Sequence, residues 1–136
     1  MKKIGLMCLL FGMACNSEKK ETPAPDLCDA YRTGKFVYRI DGDTVLYRAE
    51  REGSTQRENE PGTENVATYN INWTSNCSYE LLLTETFYAD KKSSIASKDG
   101  IKATVQLLAA AGDSMVFEVS VPGVEKPIRG KMIKTK

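Results

Sequence analysis

From residue 34 onward the chain is written in short runs in which apolar side chains occupy every second position, separated by clusters of Gly, Asp, Asn and Ser. A strand throws successive side chains to opposite faces, so this pattern makes one face apolar, and the punctuating residues are those that turns need. Residues 35–41 put Phe36, Tyr38 and Ile40 on one side, and Asp41-Gly42 follows as a hairpin signal. Residues 44–51 return, Glu52-Gly53-Ser54 turns again, and residues 55–58 begin a more polar run suited to an edge. Residues 66–73 align Ala67, Tyr69, Ile71 and Trp73, and residues 77–85 answer with Cys77, Tyr79, Leu81 and Leu83. Ile101, Ala103, Val105 and Leu107 share a face, as do Met115, Phe117, Val119 and Val121, and residues 127–134 supply a last strand. Residues 87–97 carry no readable period.

This makes about eight strands joined in sequence order by short connections. Such an order favours antiparallel pairing between neighbours, and a sheet that wide tends to curl until its edges meet. The expected fold is therefore all-β: an antiparallel up-and-down barrel of about eight strands, of the lipocalin or streptavidin kind, with an open sheet or β-sandwich as the alternative. Residues 26–32 are expected to form a short helical plug, Leu27 and Tyr31 covering one barrel end.

The amino end has a different character. Lys2 and Lys3 precede an uncharged run over residues 4–14, the order of a secretory signal, and that run is too short to span a bilayer. Ala14 stands directly before Cys15, so residues 1–14 resemble a bacterial lipoprotein signal peptide and Cys15 is expected to be the lipidated, palmitate-bearing first residue. Gly12 departs from that pattern, which usually has Leu three residues before the cysteine; a conventional signal peptide cut near Ala14 or Asn16, leaving a soluble periplasmic protein, is the alternative. Residues 16–25, "NSEKKETPAP", are polar and proline-bearing and suit a tether, so residues 15–27 are read as flexible linker and residues 28–136 as the domain. The predicted address is exported: an outer-membrane lipoprotein facing the periplasm or the cell surface, with the membrane as a partner through its anchor.

Of four cysteines, Cys8 lies in the signal and Cys15 takes the lipid, which leaves Cys28 and Cys77 to pair in an exported chain. Removing residues 1–14 takes away Lys2 and Lys3 and moves the formal charge from +1 to −1, which leaves no electrostatic footprint for nucleic acid.

Four segments, "YRTGKFVY", "RAEREGSTQRE", "INWTSNCSYEL" and "DSMVFEV", together resemble a family of small flavobacterial lipoproteins of the Bacteroidetes. The shared features are a Thr-Gly-x-Phe strand, an Arg-containing strand, a Trp strand with an Asn-Cys pair and an Asp-Ser-x-x-Phe-Glu hairpin, spread over residues 28–136. The resemblance implies a fold and an address; it implies no chemistry. A topoisomerase label carried by some members does not suit this chain, which has neither the size nor a basic channel for strand passage.

The chain contains no histidine, which removes Ser-His and Cys-His nucleophile pairs and the commonest transition-metal ligand. The pairs Asp41/Asp43, Glu50/Glu52 and Glu58/Glu60 lie in or beside predicted turns and read as solvated charge. No catalytic residue, metal site or cofactor is expected. Phe36, Tyr38, Tyr69, Trp73, Tyr79 and Phe117 fall on inward faces, where they either fill the barrel or line a pocket; an eight-stranded barrel is only just wide enough for its side chains, which favours filling. For a ligand pocket the candidate residues are Tyr38, Arg51, Gln56, Tyr69, Trp73, Tyr79 and Phe117, with Arg48 or Arg51 and Gln56 meeting a polar group at the mouth. Asp43-Thr44-Val45 and Asp113-Ser114-Met115 match a Bacteroidetes O-glycosylation pattern at Thr44 and Ser114. The expected role is non-catalytic binding of a small apolar or amphipathic molecule or of an envelope protein; the alternative is a structural lipoprotein with a packed barrel.

Overall fold

The structure, a computed structural model, describes residues 25–98 and 100–136. The expected signal segment 1–14, Cys15 and residues 16–24 of the expected tether lie outside the described residues. A five-residue helix, α1 (Pro25–Asp29), precedes nine strands: β1 (Gly34–Ile40), β2 (Tyr47–Glu52), β3 (Thr55–Asn59), β4 (Val66–Ser75), β5 (Ser78–Tyr88), β6 (Ser93–Ala96), β7 (Lys102–Ala111), β8 (Ser114–Ser120) and β9 (Ile128–Thr135). The helix begins inside the stretch expected to be tether.

All pairings are antiparallel. Leaving β6 aside, each strand pairs with the next, and β9 returns to β1 from Lys35↔Thr135 to Ile40↔Gly130. Eight strands thereby close into the expected up-and-down barrel, and the open sheet and the sandwich are excluded. Closure satisfies the edges that β1 and β9 would otherwise expose.

The ninth strand accounts for the unreadable stretch. β5 runs to Tyr88, and β6 folds back along its second half from Tyr88↔Ser93 to Glu85↔Ala96, whereas β7 pairs with its first half from Leu82↔Lys102 to Ser78↔Gln106. Two residues of β5 (83–84) therefore face five on the other side (97–101), an insertion that interrupts one continuous wall. Ile101, expected to point inward, is instead pushed out to 59% exposure by this break. The β1–β2 connection also differs from the tight hairpin expected at Asp41-Gly42. Asp43 Oδ1 accepts the Val45 amide at 2.9 Å, which takes that N–H away from the ladder, and pairing begins only at Tyr38↔Tyr47. The turn expected at Glu52-Gly53-Ser54 is present as a two-residue connection between the paired Glu52 and Thr55, with Gly53 at φ 58. Thr44 lies in the β1–β2 loop, and Ser114 opens β8 with its hydroxyl donating to the Ala111 carbonyl at 2.8 Å.

One end of the barrel is solid. Cys28, Leu107 and Met115 are each fully buried there, beside Tyr31 and Cys77. The expected disulfide joins Cys28 of α1 to Cys77 in the β4–β5 turn, fastening the helix over the opening. Lys134 Nζ donates to the Ala30 carbonyl at 2.9 Å, and Tyr31 stacks on Phe36. Tyr31 therefore plugs the barrel as expected, whereas Leu27 stays 47% exposed.

Gly130 of β9 sits buried opposite Phe117 and Ile40, and a Cβ there would meet the Phe117 ring at 2.6 Å as well as the Arg39 carbonyl. Gly130→Ala is expected to destabilise the barrel by roughly 1–3 kcal/mol through overpacking, read from the urea midpoint. The disulfide spans 49 residues, for which chain entropy gives about 4 kcal/mol, so a Cys28→Ser/Cys77→Ser variant should lose stability on that scale in the same measurement.

Candidate ligand-binding lumen

The other half of the barrel is hollow. A cavity of about 210 Å³ runs from the level of Arg51 to a rim where Ile128 is 38% exposed. The space exists because two inward positions carry small side chains: Ala49 and Ala103 contribute only methyl groups to the wall. One interior is thus both packed and open, at opposite ends.

The wall has two characters. β7, β8 and β9 contribute Ala103, Val105, Phe117, Val119, Ile128 and Met132, with no polar side chain among them. The facing strands hold every polar lining side chain, Tyr38 from β1, Arg51 from β2, Gln56 and Glu58 from β3, Tyr69 from β4 and Tyr79 from β5, among the apolar Phe36, Ile40, Ala49 and Leu81. The lumen is therefore amphipathic across its width.

Five of these six polar side chains, Tyr69 excepted, form one connected chain of hydrogen bonds. Arg51 donates through Nε to Gln56 Oε1 at 2.7 Å, through Nη1 to the Tyr31 carbonyl at 2.6 Å and through Nη2 to the Tyr79 hydroxyl. Gln56 Nε2 donates to Glu58 Oε1 at 2.6 Å, and the Tyr38 hydroxyl donates to Glu58 Oε2 at 3.1 Å. Arg51 also lies 4.9 Å from the ring centre of Phe36 and 4.6 Å from that of Tyr79. A buried guanidinium is tolerable only when its donors are answered in this way.

Burial pushes the Glu58 carboxyl above the ordinary carboxylate range, against the opposing effects of the Tyr38 and Gln56 hydrogen bonds and the Arg51 charge. Tyr38 is raised well above the usual phenol range by burial and then by the neighbouring Glu58. Tyr69 is pushed up to about 12 by the same two causes, and burial raises Tyr79 against the pull of Arg51. All three phenols are neutral hydrogen-bonding groups at physiological pH.

Six of the seven candidate residues line this one cavity: Tyr38, Arg51, Gln56, Tyr69, Tyr79 and Phe117. Trp73 does not; its ring packs on Tyr79 at 4.6 Å and carries the Arg32 guanidinium at 4.5 Å. Arg51 and Gln56 are not at the mouth but 4% and 2% exposed at the cavity floor, and Arg48 is on the outer surface. Glu58 corrects the reading of carboxylates as solvated turn charge, since it faces inward. The signal lay in its spacing of two from Gln56, but Glu60-Pro61-Gly62 shortly after it reads as a loop.

Among the described residues no group of three or more Cys, Asp or Glu is placed to hold a metal ion. No protein-family model matches the chain, and a search of the curated proteins finds no significant match.

Replacing Arg51 by Met is expected to cost roughly 3 kcal/mol, because the Tyr31 carbonyl and Gln56 Oε1 lose their donor inside the barrel; chemical denaturation reads this directly. Glu58 has its folded-state pKa raised, so the stability linked to it is fully present below the ordinary carboxylate value and is lost as pH rises through the raised one. Glu58→Gln should therefore gain stability relative to the native protein on going from pH 4 to pH 8, a trend visible in paired unfolding curves.

Proposed function

We propose that the protein is a lipid-anchored component of the bacterial cell envelope, akin to the small flavobacterial lipoproteins, that binds a small apolar or amphipathic molecule without catalysis. The observation that carries the binding reading is the two-faced lumen: an apolar wall from β7 to β9 opposite a satisfied polar strip, open at a rim and closed below by α1. Pockets that hold small molecules combine a mostly apolar lining with a few placed polar groups. A barrel serving only as a structural element would have no need of this hollow, whereas the packed end beneath gives it a rigid floor.

The size of the ligand follows from the space. At about 30 Å³ for each water in the liquid, the lumen has the volume of about seven waters, enough for a short chain or a single ring. The anchor is the part of the reading that rests on sequence: Cys15 follows a charged-then-apolar segment and precedes a polar, proline-bearing stretch.

Titration calorimetry of the full chain in detergent with n-hexanol tests the pocket. Binding is expected for the native protein, and Val119→Trp, which fills the apolar side, should abolish it while leaving the β-type circular dichroism unchanged. Cys15→Ser should lose the acyl mass in intact mass spectrometry and leave the membrane fraction; retention there would refute the anchor.

A further inference from the structure

We infer that the ligand is cationic: a primary ammonium on a short apolar chain or ring, seated against the Glu58 carboxylate beside the hydroxyls of Tyr38 and Tyr69. This names the chemical class for the lumen and rests on the reading of that lumen as a binding site.

The two charged groups of the cavity are not equivalent. β3 runs from the turn at residues 53–54, under the closed end, toward the rim, so Glu58 stands two residues nearer the opening than Gln56 and its partner Arg51. Arg51 is spent on the floor. Its three named hydrogen bonds go to Gln56, the Tyr31 carbonyl and Tyr79, two rings flank it, and it is 4% exposed. A carboxylate or phosphate entering from the rim would have to pass Glu58 to reach it.

Glu58 has the opposite standing. Gln56 and Tyr38 each donate to one of its oxygens, and an ionised carboxylate offers about four acceptor positions, so roughly two are left for a newcomer. Among the described residues no lysine or arginine nitrogen lies within 4.0 Å of it. A half-buried carboxylate without a contact counter-ion is a costly arrangement, and an ammonium in the lumen supplies the missing charge together with donors for the open positions. The surroundings suit a cation: Tyr38 stacks on Tyr47 with ring centres 5.0 Å apart, Tyr69 feels the Glu58 charge, and aromatic rings attract ammonium groups. The apolar remainder of the ligand then lies against Val105, Phe117 and Val119.

Burial holds the Glu58 carboxyl above its ordinary range, so seating an ammonium favours the ionised form and releases a proton from any protonated fraction. The titratable or charged groups facing Glu58 are Tyr38 from β1, Arg51 from β2, Tyr69 from β4 and Tyr79 from β5; β7, β8 and β9 contribute none to the lumen. The phenols are all raised and stay neutral below pH 8, and Glu58 is the carboxyl facing the lumen, so a fall in ammonium affinity as pH drops belongs to its protonation.

The test compares n-hexylamine, n-hexanol and n-hexanoate by calorimetry on the full chain in detergent at pH 8. The expected result is hexylamine at least tenfold tighter than hexanol, with hexanoate weakest, and a loss of hexylamine affinity, but not of hexanol affinity, on moving to pH 5. Glu58→Gln should bring hexylamine to the level of hexanol while hexanol binding persists; should that variant not fold, the pH comparison on the native protein decides. Hexanol binding with hexylamine no tighter, or with hexanoate equal to hexylamine, overturns the cation assignment and leaves the lumen reading standing. Failure of all three to bind overturns the lumen reading, and the assignment with it.

Discussion

The guanidinium of Arg51 is the point on which both halves of the barrel depend. It ties the segment after α1, through the Tyr31 carbonyl, to β3 through Gln56 and to β5 through Tyr79, all inside a closed sheet. Below it the interior is solid, held by the Cys28–Cys77 bond and by Leu107 and Met115. Above it the inward side chains leave a cavity of about 210 Å³. A charged group in that position must have its donors answered, and answering them draws Tyr31, Gln56 and Tyr79 into one fixed arrangement.

That arrangement gives the lumen its polarity. Gln56 is used twice, accepting from Arg51 and donating to Glu58, and so passes the orientation of the floor to the carboxylate nearer the rim. The opposite wall has no polar side chain to compete, so the field inside the cavity is set by one strip of side chains on β1 to β5. Apolar surroundings strengthen every electrostatic interaction there, which is why burial dominates the shifts of Glu58, Tyr38 and Tyr69.

Much of the wall was legible from alternation alone. The inward set Phe36, Tyr38, Tyr69, Ile71, Tyr79, Leu81, Val105, Leu107, Met115 and Phe117 follows from the period of two, because a half-buried strand has no other way to separate its faces. The pairing of Cys28 with Cys77 followed from counting cysteines. Ile101 and residues 87–97 escaped because the insertion between β6 and β7 breaks the period locally, so a correct alternation starting at Ala103 extends falsely by one step. Glu58 escaped for a different reason: Arg51, Gln56 and Glu58 are polar at inward positions, and in an isolated hairpin that reads as a solvent face.

By itself the sequence determined which side chains share a face, where the chain turns and which cysteines remain to be joined, since these depend on neighbours along the chain and on the two-residue repeat of a strand. Only the tertiary structure decided that the polar face of β2 and β3 lines an interior, that Trp73 lies off the cavity, and that the barrel is hollow at one end. Those are sums over eight strands brought round to meet, and the space left by Ala49, Ala103 and the other inward side chains has no value until the last strand has paired with the first.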